Sequence, residues 1–403
     1  MSQPSASSKA EPREFIALMA LLMSVVAISI DATLPALGII GEYLGVDHPN
    51  QAQYIISSIF AGLAIGQLIS GPLSDAYGRK RVLYIGLSLY LLGTVICLMA
   101  KNLEVMLLGR FIQGLGISGP YISTIAIVRD KYSGRGMAKI MSLIMMIFIM
   151  VPAIAPAIGQ AMLYIGSWHY IFVMYIVYSL GVGAWVHFRL EETLPKKKRV
   201  PFQLKNIIDA AKTVFTNRVT MTYTVAMGFV FGILVGDLNT IQQVFLVQFE
   251  VGQMFAVYFG LQALAFGASS LVNSLLVERL GMRYICIRST LALAITSLIF
   301  LIINASIEVE FWMFFAYGAV LLFCVGMLFG NFNALAIEPM GHIAGTASAI
   351  IGCSSTIIGI VSGTIIGQIY DGELTPIIAG FMVLSFLAFL VIRSERSEFK
   401  LHL

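Results

Sequence analysis

Residues 71–81 read GPLSDAYGRKR, a polar turn that ends in three consecutive cations and joins two apolar runs at about 53–73 and 82–100. A turn this charged between runs this apolar suits a chain that leaves a bilayer, reverses at its surface and enters again. Composition agrees. The chain has 403 residues, 58% of them hydrophobic and 11% charged, with a mean hydropathy of +0.89. A soluble chain carries about 25% charged residues.

Crossing a hydrocarbon core of roughly 30 Å takes about 20 apolar residues. Twelve such spans follow one another, near 15–40, 53–73, 82–100, 104–128, 138–161, 168–188, 219–247, 254–277, 284–304, 310–336, 345–370 and 375–393. A bilayer offers the backbone no water to bond, so the spans must be helices or barrel strands. Barrel strands would alternate polar and apolar residues with period two, and these runs do not. The fold class is therefore an all-α membrane protein with twelve transmembrane helices.

Charge orders the chain across the membrane. The 25 Lys and Arg lie in the termini or in and beside the loops that follow even-numbered spans, with Lys101 and Arg110 the exceptions. Cytoplasmic loops concentrate such cations, which predicts both termini in the cytoplasm. The net charge of +4 is thus a topology signal and no nucleic-acid footprint. The first span is too long for a signal-peptide core and should be retained. Cys97, Cys286, Cys324 and Cys353 are scattered through apolar spans. The five histidines lie near span ends or, as His402, in the tail, and no pair has metal-ligand spacing. No metal, cofactor or catalytic set is expected.

Residues 189–218 form the longest polar stretch and divide the spans six and six, which predicts bundles at 1–188 and 219–403 joined by a basic cytoplasmic linker. A short surface helix is expected near 202–215, and the KKKR cluster fits contact with anionic lipid. The loop SLLVERLGMRY at 274–284 repeats 71–81 at an offset of 203, matching Asp75 to Glu278 and Gly78 to Gly281. Internal repeats of this kind are common in transporters.

Two six-span halves carrying GPLSDAYGRKR resemble the major facilitator superfamily and its G-x-L-x-D-x-x-G-R-[RK] loop signature. Gly71 would permit close helix approach, Gly78 the tight turn, and Arg79 and Lys80 would stay in the cytosol. The resemblance implies that Asp75 caps span 11, favoured by the positive end of a helix, and holds the halves together in an outward-facing state. GRFIQGLGISG at 109–119 resembles the superfamily's R-x-x-Q-G-x-G signature, which assigns Arg110 to proton transfer and includes Gln113, expected with Asp31 on the substrate cavity. The formal dinucleotide fingerprint in the same stretch is spurious, because no strand precedes it. VPAIAPAIGQ at 151–160 resembles the antiporter signature through Pro152, Pro156 and Gly159, ending in Gln160 where many relatives have glycine. A plain proline kink is the other reading of that stretch. IDATLPALG at 30–38, VRDKYSGRGMAKIMSLI at 128–144 and GHIAGTASAIIG at 341–352 resemble the bicyclomycin-resistance (Bcr/CflA) efflux group.

Asp31 stands inside span 1, where a carboxylate costs roughly 2.5–3.5 kcal/mol. Counting residues puts Asp31 about 14 Å and Arg110 about 9 Å from the outer ends of their spans, compatible with one level. That depth predicts a charge pair on the central cavity that the resemblance implies. Asp237 in span 7 reaches a similar depth, with Asn239 and Gln243 nearby; these read either as a substrate-cavity patch or as a polar helix end. The function expected is a proton-coupled exporter of small organic molecules, working as a monomer in a bacterial inner membrane with lipid, protons and substrate as its partners. The alternatives are a dedicated exporter of a siderophore or amino-acid derivative, and a non-transporting receptor on the same fold.

Overall fold

The computed structural model describes residues 12–395, so that the two chain ends, His402 among them, lie outside it. Fourteen α-helices follow one another: α1 Pro12–Asp31, α2 Leu37–Tyr43, α3 Tyr54–Tyr77, α4 Arg79–Leu98, α5 Leu103–Lys131, α6 Gly134–Ile165, α7 His169–Arg189, α8 Leu204–Thr216, α9 Arg218–Gln243, α10 Phe255–Leu280, α11 Met282–Ser306, α12 Phe311–Ile337, α13 Ala344–Gln368 and α14 Leu374–Ser394. There is no strand among the described residues. Twelve stretches are long and apolar enough to cross a membrane, beginning with Arg13–Tyr43 and ending with Leu374–Ser394. α1 and α2 share the first span, and α8 belongs to none.

Packing divides the spans into two sets of six. α5 lies against α3 and α4, and α1 against α6. In the second half α9 packs on α13, α14 and α12. Helices in lipid gain little from burying apolar surface, so close backbone approach matters more. At the α3–α5 crossing a Cβ on Gly114 would sit 2.9 Å from the Gly62 Cα, so only glycine fits there. The sets meet along α3–α13 and α6–α10.

An even number of spans places both described ends and the 190–217 linker on one side, the linker face. At the opposite face, hydrogen bonds join the two sets. The Gln53 amide donates to Gln243 at 3.1 Å, Ser57 and Thr364 hydroxyls lie 2.7 Å apart, and Asn50 donates to the Tyr370 carbonyl at 2.7 Å. Asn239 also donates to the Ser57 hydroxyl.

The first span is not one helix, as its apolar run suggested. Proline has no N–H to give the carbonyl four residues back, and it biases the preceding residue out of the α region. Pro35 therefore ends α1 at Asp31; a 3₁₀ turn over Leu34–Ala36 follows, then α2. The seventh span also departs from α geometry, running into a π turn at Val244–Gln248.

Candidate functional site

The break in span 1 frees the Ser29 carbonyl, and the first six spans use it. Thr33 N–H turns to the Ile30 carbonyl, which leaves that of Ser29 without its helical donor. Arg110 of α5 donates to it from Nη2 at 2.9 Å. Tyr175 of α7 donates to the Ile28 and Ser29 carbonyls and shares a hydrogen bond with Thr33 at 2.8 Å. A cation at a helix C-terminus is favoured by the helix dipole, so Arg110 closes the end of α1. Its other donors reach the Ile55 carbonyl at 3.2 Å and Gln113 Oε1 at 3.0 Å. Gln113 passes the chain to Thr94 at 2.8 Å. Arg110 is fully buried, and one residue ties α1, α3 and α5 together.

Asp31 does not pair with Arg110. The residue is 5% exposed, and its carboxylate has no hydrogen bond or ion pair among the described residues. The cause is azimuth. Residues two apart on a helix point about 200° away from each other, so Asp31 projects from the side of α1 opposite Ser29, where the Arg110 cluster lies.

The other candidates separate into three places. Gln113 is enclosed within the first six spans with both amide atoms bonded, rather than lining a cavity. Asn239 and Gln243 take part in the hydrogen bonds at the opposite face. Asp237 is 5% exposed, without hydrogen-bond or ion-pair partner among the described residues. In α6, Pro152 and Pro156 lie inside one continuous helix. Gly159 meets the chain just past α1, where a Cβ would overlap the Ala32 carbonyl. That contact is beside the break.

At the linker face the 71–81 turn is arranged differently from expectation. Gly78 takes φ +101° between α3 and α4, a conformation that favours glycine. Gly71 has no atom within 4 Å of its Cβ position, so no close helix approach forms there. Asp75 bonds Arg79 at 2.6 Å and does not cap α13, whose N-terminus has no side-chain cap. Arg79 is buried at the linker face, with Asp130 on its Nε at 2.9 Å. Glu192, from the linker, accepts the N–H groups of Arg79 and Lys80 at 3.0 and 3.2 Å, which caps α4. Lys80 donates to the Leu190 carbonyl at 2.6 Å. Sequence reasoning passed over Glu192; its only signal was an acid just ahead of a basic cluster. It also passed over Ser29, Thr33, Tyr90 and Tyr175, hydroxyls that bond one another or the freed carbonyl inside the membrane.

Twelve spans in two packed sixes, a first span broken at a buried carboxylate, and a buried arginine on the break define a membrane-embedded transport protein. The chain belongs to the Major Facilitator Superfamily, whose family model matches residues 19–364. It is 29% identical over 391 residues to the MFS-type transporter YdgK of Bacillus subtilis, covering 94% of this chain and 95% of that protein. It is 28% identical to the bicyclomycin resistance protein homolog of Haemophilus influenzae, covering 94% and 96%. Among solved structures, the human organic anion transporter MFSD10 superposes with a TM-score of 0.64 at 15% identity, covering 95% of this chain and all of that one; this shows the shared fold. Members of the superfamily are transporters, so the chain is a multi-pass membrane transporter and not an enzyme.

Proposed function

We propose that the chain is a proton-coupled exporter of small organic molecules of the drug-efflux type, in a bacterial inner membrane with the linker face cytoplasmic. Its moving units are the bundles 1–188 and 219–403, joined by 189–218. They alternate between closure at the opposite face and closure at the linker face. The similarity to a bicyclomycin resistance homolog supports the substrate class. One observation carries the coupling: Asp31 is buried and unpaired beside the break in span 1. A buried charge without a partner is costly, and binding a proton removes that cost. Release of the proton and binding of substrate then compete for one position. Arg110 acts through the backbone, holding the end of α1 that presents Asp31. The Asp75 cap on span 11 belongs to the other state, in which the linker face closes.

The test uses full-length protein in liposomes, ethidium as cargo and an imposed pH difference. Wild type should accumulate ethidium and stop when nigericin collapses the gradient. Asp31→Asn should be made in normal amount, exchange ethidium downhill and fail to concentrate it. A well-expressed Asp31→Asn protein that still concentrates cargo would remove Asp31 from the mechanism, leaving Asp237 as the next carboxylate to test.

A further inference from the structure

Ahead of the seventh span the chain lays down a helix that crosses nothing. α8 has four differently dressed flanks. Counting about 100° per residue from Leu204, Ala210, Val214 and Ile207 fall near 240–300°. There Ala210 and Val214 are buried, and the helix packs on α9 and α13. Leu204, Ile208 and Phe215 fall near 0–40°, exposed at 61%, 58% and 54%. Lys212 and Lys205 follow near 80–100°, then Asp209, Thr213 and Asn206 near 140–200°. Around the helix the order is therefore a docked flank, a bare apolar stripe, a lysine row and a polar face.

A helix standing in water has no use for that stripe, whereas a helix lying in the surface of a bilayer needs it. Its position fits. α8 ends at Thr216, and Asn217 caps α9 through the Thr220 N–H at 2.9 Å, so the helix lies at the entrance of a membrane span. Upstream, the exposed apolar Val200 and Phe202 follow the exposed Lys196, Lys197 and Lys198. Cations placed beside an apolar stripe snorkel toward phosphates.

We infer that α8 is an interfacial helix whose lysines bind the phosphates of anionic phospholipid while Leu204, Ile208 and Phe215 enter the acyl boundary. A zwitterionic headgroup brings its own ammonium and gives the lysines less; a headgroup with net negative charge, such as phosphatidylglycerol, gives more. The seat on α9 and α13 connects this lipid contact to the linker-face ends of spans 7 and 11.

The test needs no cargo and does not depend on the transport reading. Ile208→Cys and, separately, Asp209→Cys are labelled with the fluorophore NBD in full-length protein, whose native cysteines are buried, and placed in phosphatidylcholine nanodiscs. Brominated acyl chains should quench position 208 at least about twofold more than 209, and aqueous iodide should show the reverse order. Adding a quarter phosphatidylglycerol should deepen quenching at 208, and replacing Lys196, Lys197, Lys198, Lys205 and Lys212 with Gln should abolish that increase. Equal access of iodide to both positions would overturn the interfacial placement and leave the stripe to a soluble partner. A phosphatidylglycerol effect that survives loss of the five lysines would overturn the headgroup pairing.

Discussion

Arg110 makes three charge-assisted hydrogen bonds from a fully buried site, and two of them go to backbone carbonyls of different helices. Bonds of that kind contribute about 1.5–3 kcal/mol each. Arg110→Ala should therefore be poorly folded, with lower yield and a lower melting temperature in detergent. Arg110→Lys keeps the charge at the end of α1 but gives up the planar fork that reaches Ile55, Gln113 and Ser29 together. It should fold and transport roughly tenfold more slowly, which corresponds to about 1.4 kcal/mol. Tyr175→Phe removes a neutral donor from the same carbonyls and should cost about 1 kcal/mol of stability, read as a small fall in melting temperature with transport retained. Wild-type transport in Arg110→Ala would show that the break in span 1 needs no cation. Counting along the sequence brought Asp31 and Arg110 to one depth but could not give their azimuth. Depth follows from a rise of about 1.5 Å per residue, whereas facing depends on which neighbours the helix packs against. The charge pair expected from the sequence failed for that reason, while the burial of both residues was legible in their apolar surroundings.

Between helices, the 71–81 turn is held by a linker more than 100 residues away in sequence. Glu192 accepts two N–H groups from the first turn of α4, and Arg199 approaches it to 3.8 Å. A carboxylate at a helix N-terminus contributes about 0.5–2 kcal/mol. Glu192→Gln keeps the acceptor and loses the charge, so it should loosen the 190–200 segment more than it destabilises the protein. Trypsin in mild detergent should then cut the Lys196–Arg199 cluster several-fold faster than in wild type, at a nearly unchanged melting temperature; an unchanged cutting rate would mean that other bonds hold the strap. Asp75→Asn removes the half-exposed one of the two carboxylates on buried Arg79 and leaves Asp130 in place, so it should cost only about 1 kcal/mol. A marked slowing of transport in that variant is the outcome expected if Asp75 caps span 11 in the other state, as proposed. Full activity would withdraw that role. The spans themselves were readable because backbone satisfaction in lipid forces helices wherever apolar runs are long enough. Pro35 was in plain view as the reason span 1 breaks. The partners Asp130 and Glu192 were not, since nothing in a loop motif says which distant acid will fold onto it.

The two sets of six spans are joined at the face opposite the linker by amides and hydroxyls. Neutral hydrogen bonds of this sort contribute about 0.5–1.5 kcal/mol each. A handful of them can hold one state closed and still be broken within a transport cycle. Alternating access makes a sharp demand on this face: whatever fixes it shut must stop transport. Ser57 on α3 and Thr364 on α13 offer the place to fix it, with their hydroxyl oxygens 2.7 Å apart. A disulfide spans about 2.05 Å between sulfurs, so Ser57→Cys/Thr364→Cys should bridge on oxidation with little adjustment of either helix. Each single variant should transport, because one lost hydroxyl pair is a small part of the contact. The oxidised double variant should be inactive and should recover when dithiothreitol reduces the bridge. The four native cysteines are buried within the spans and will not compete for the oxidant. Sustained transport by a fully bridged protein would mean that cargo passes without this face opening, and the two sets would then have to move about some other contact, such as that of α6 with α10.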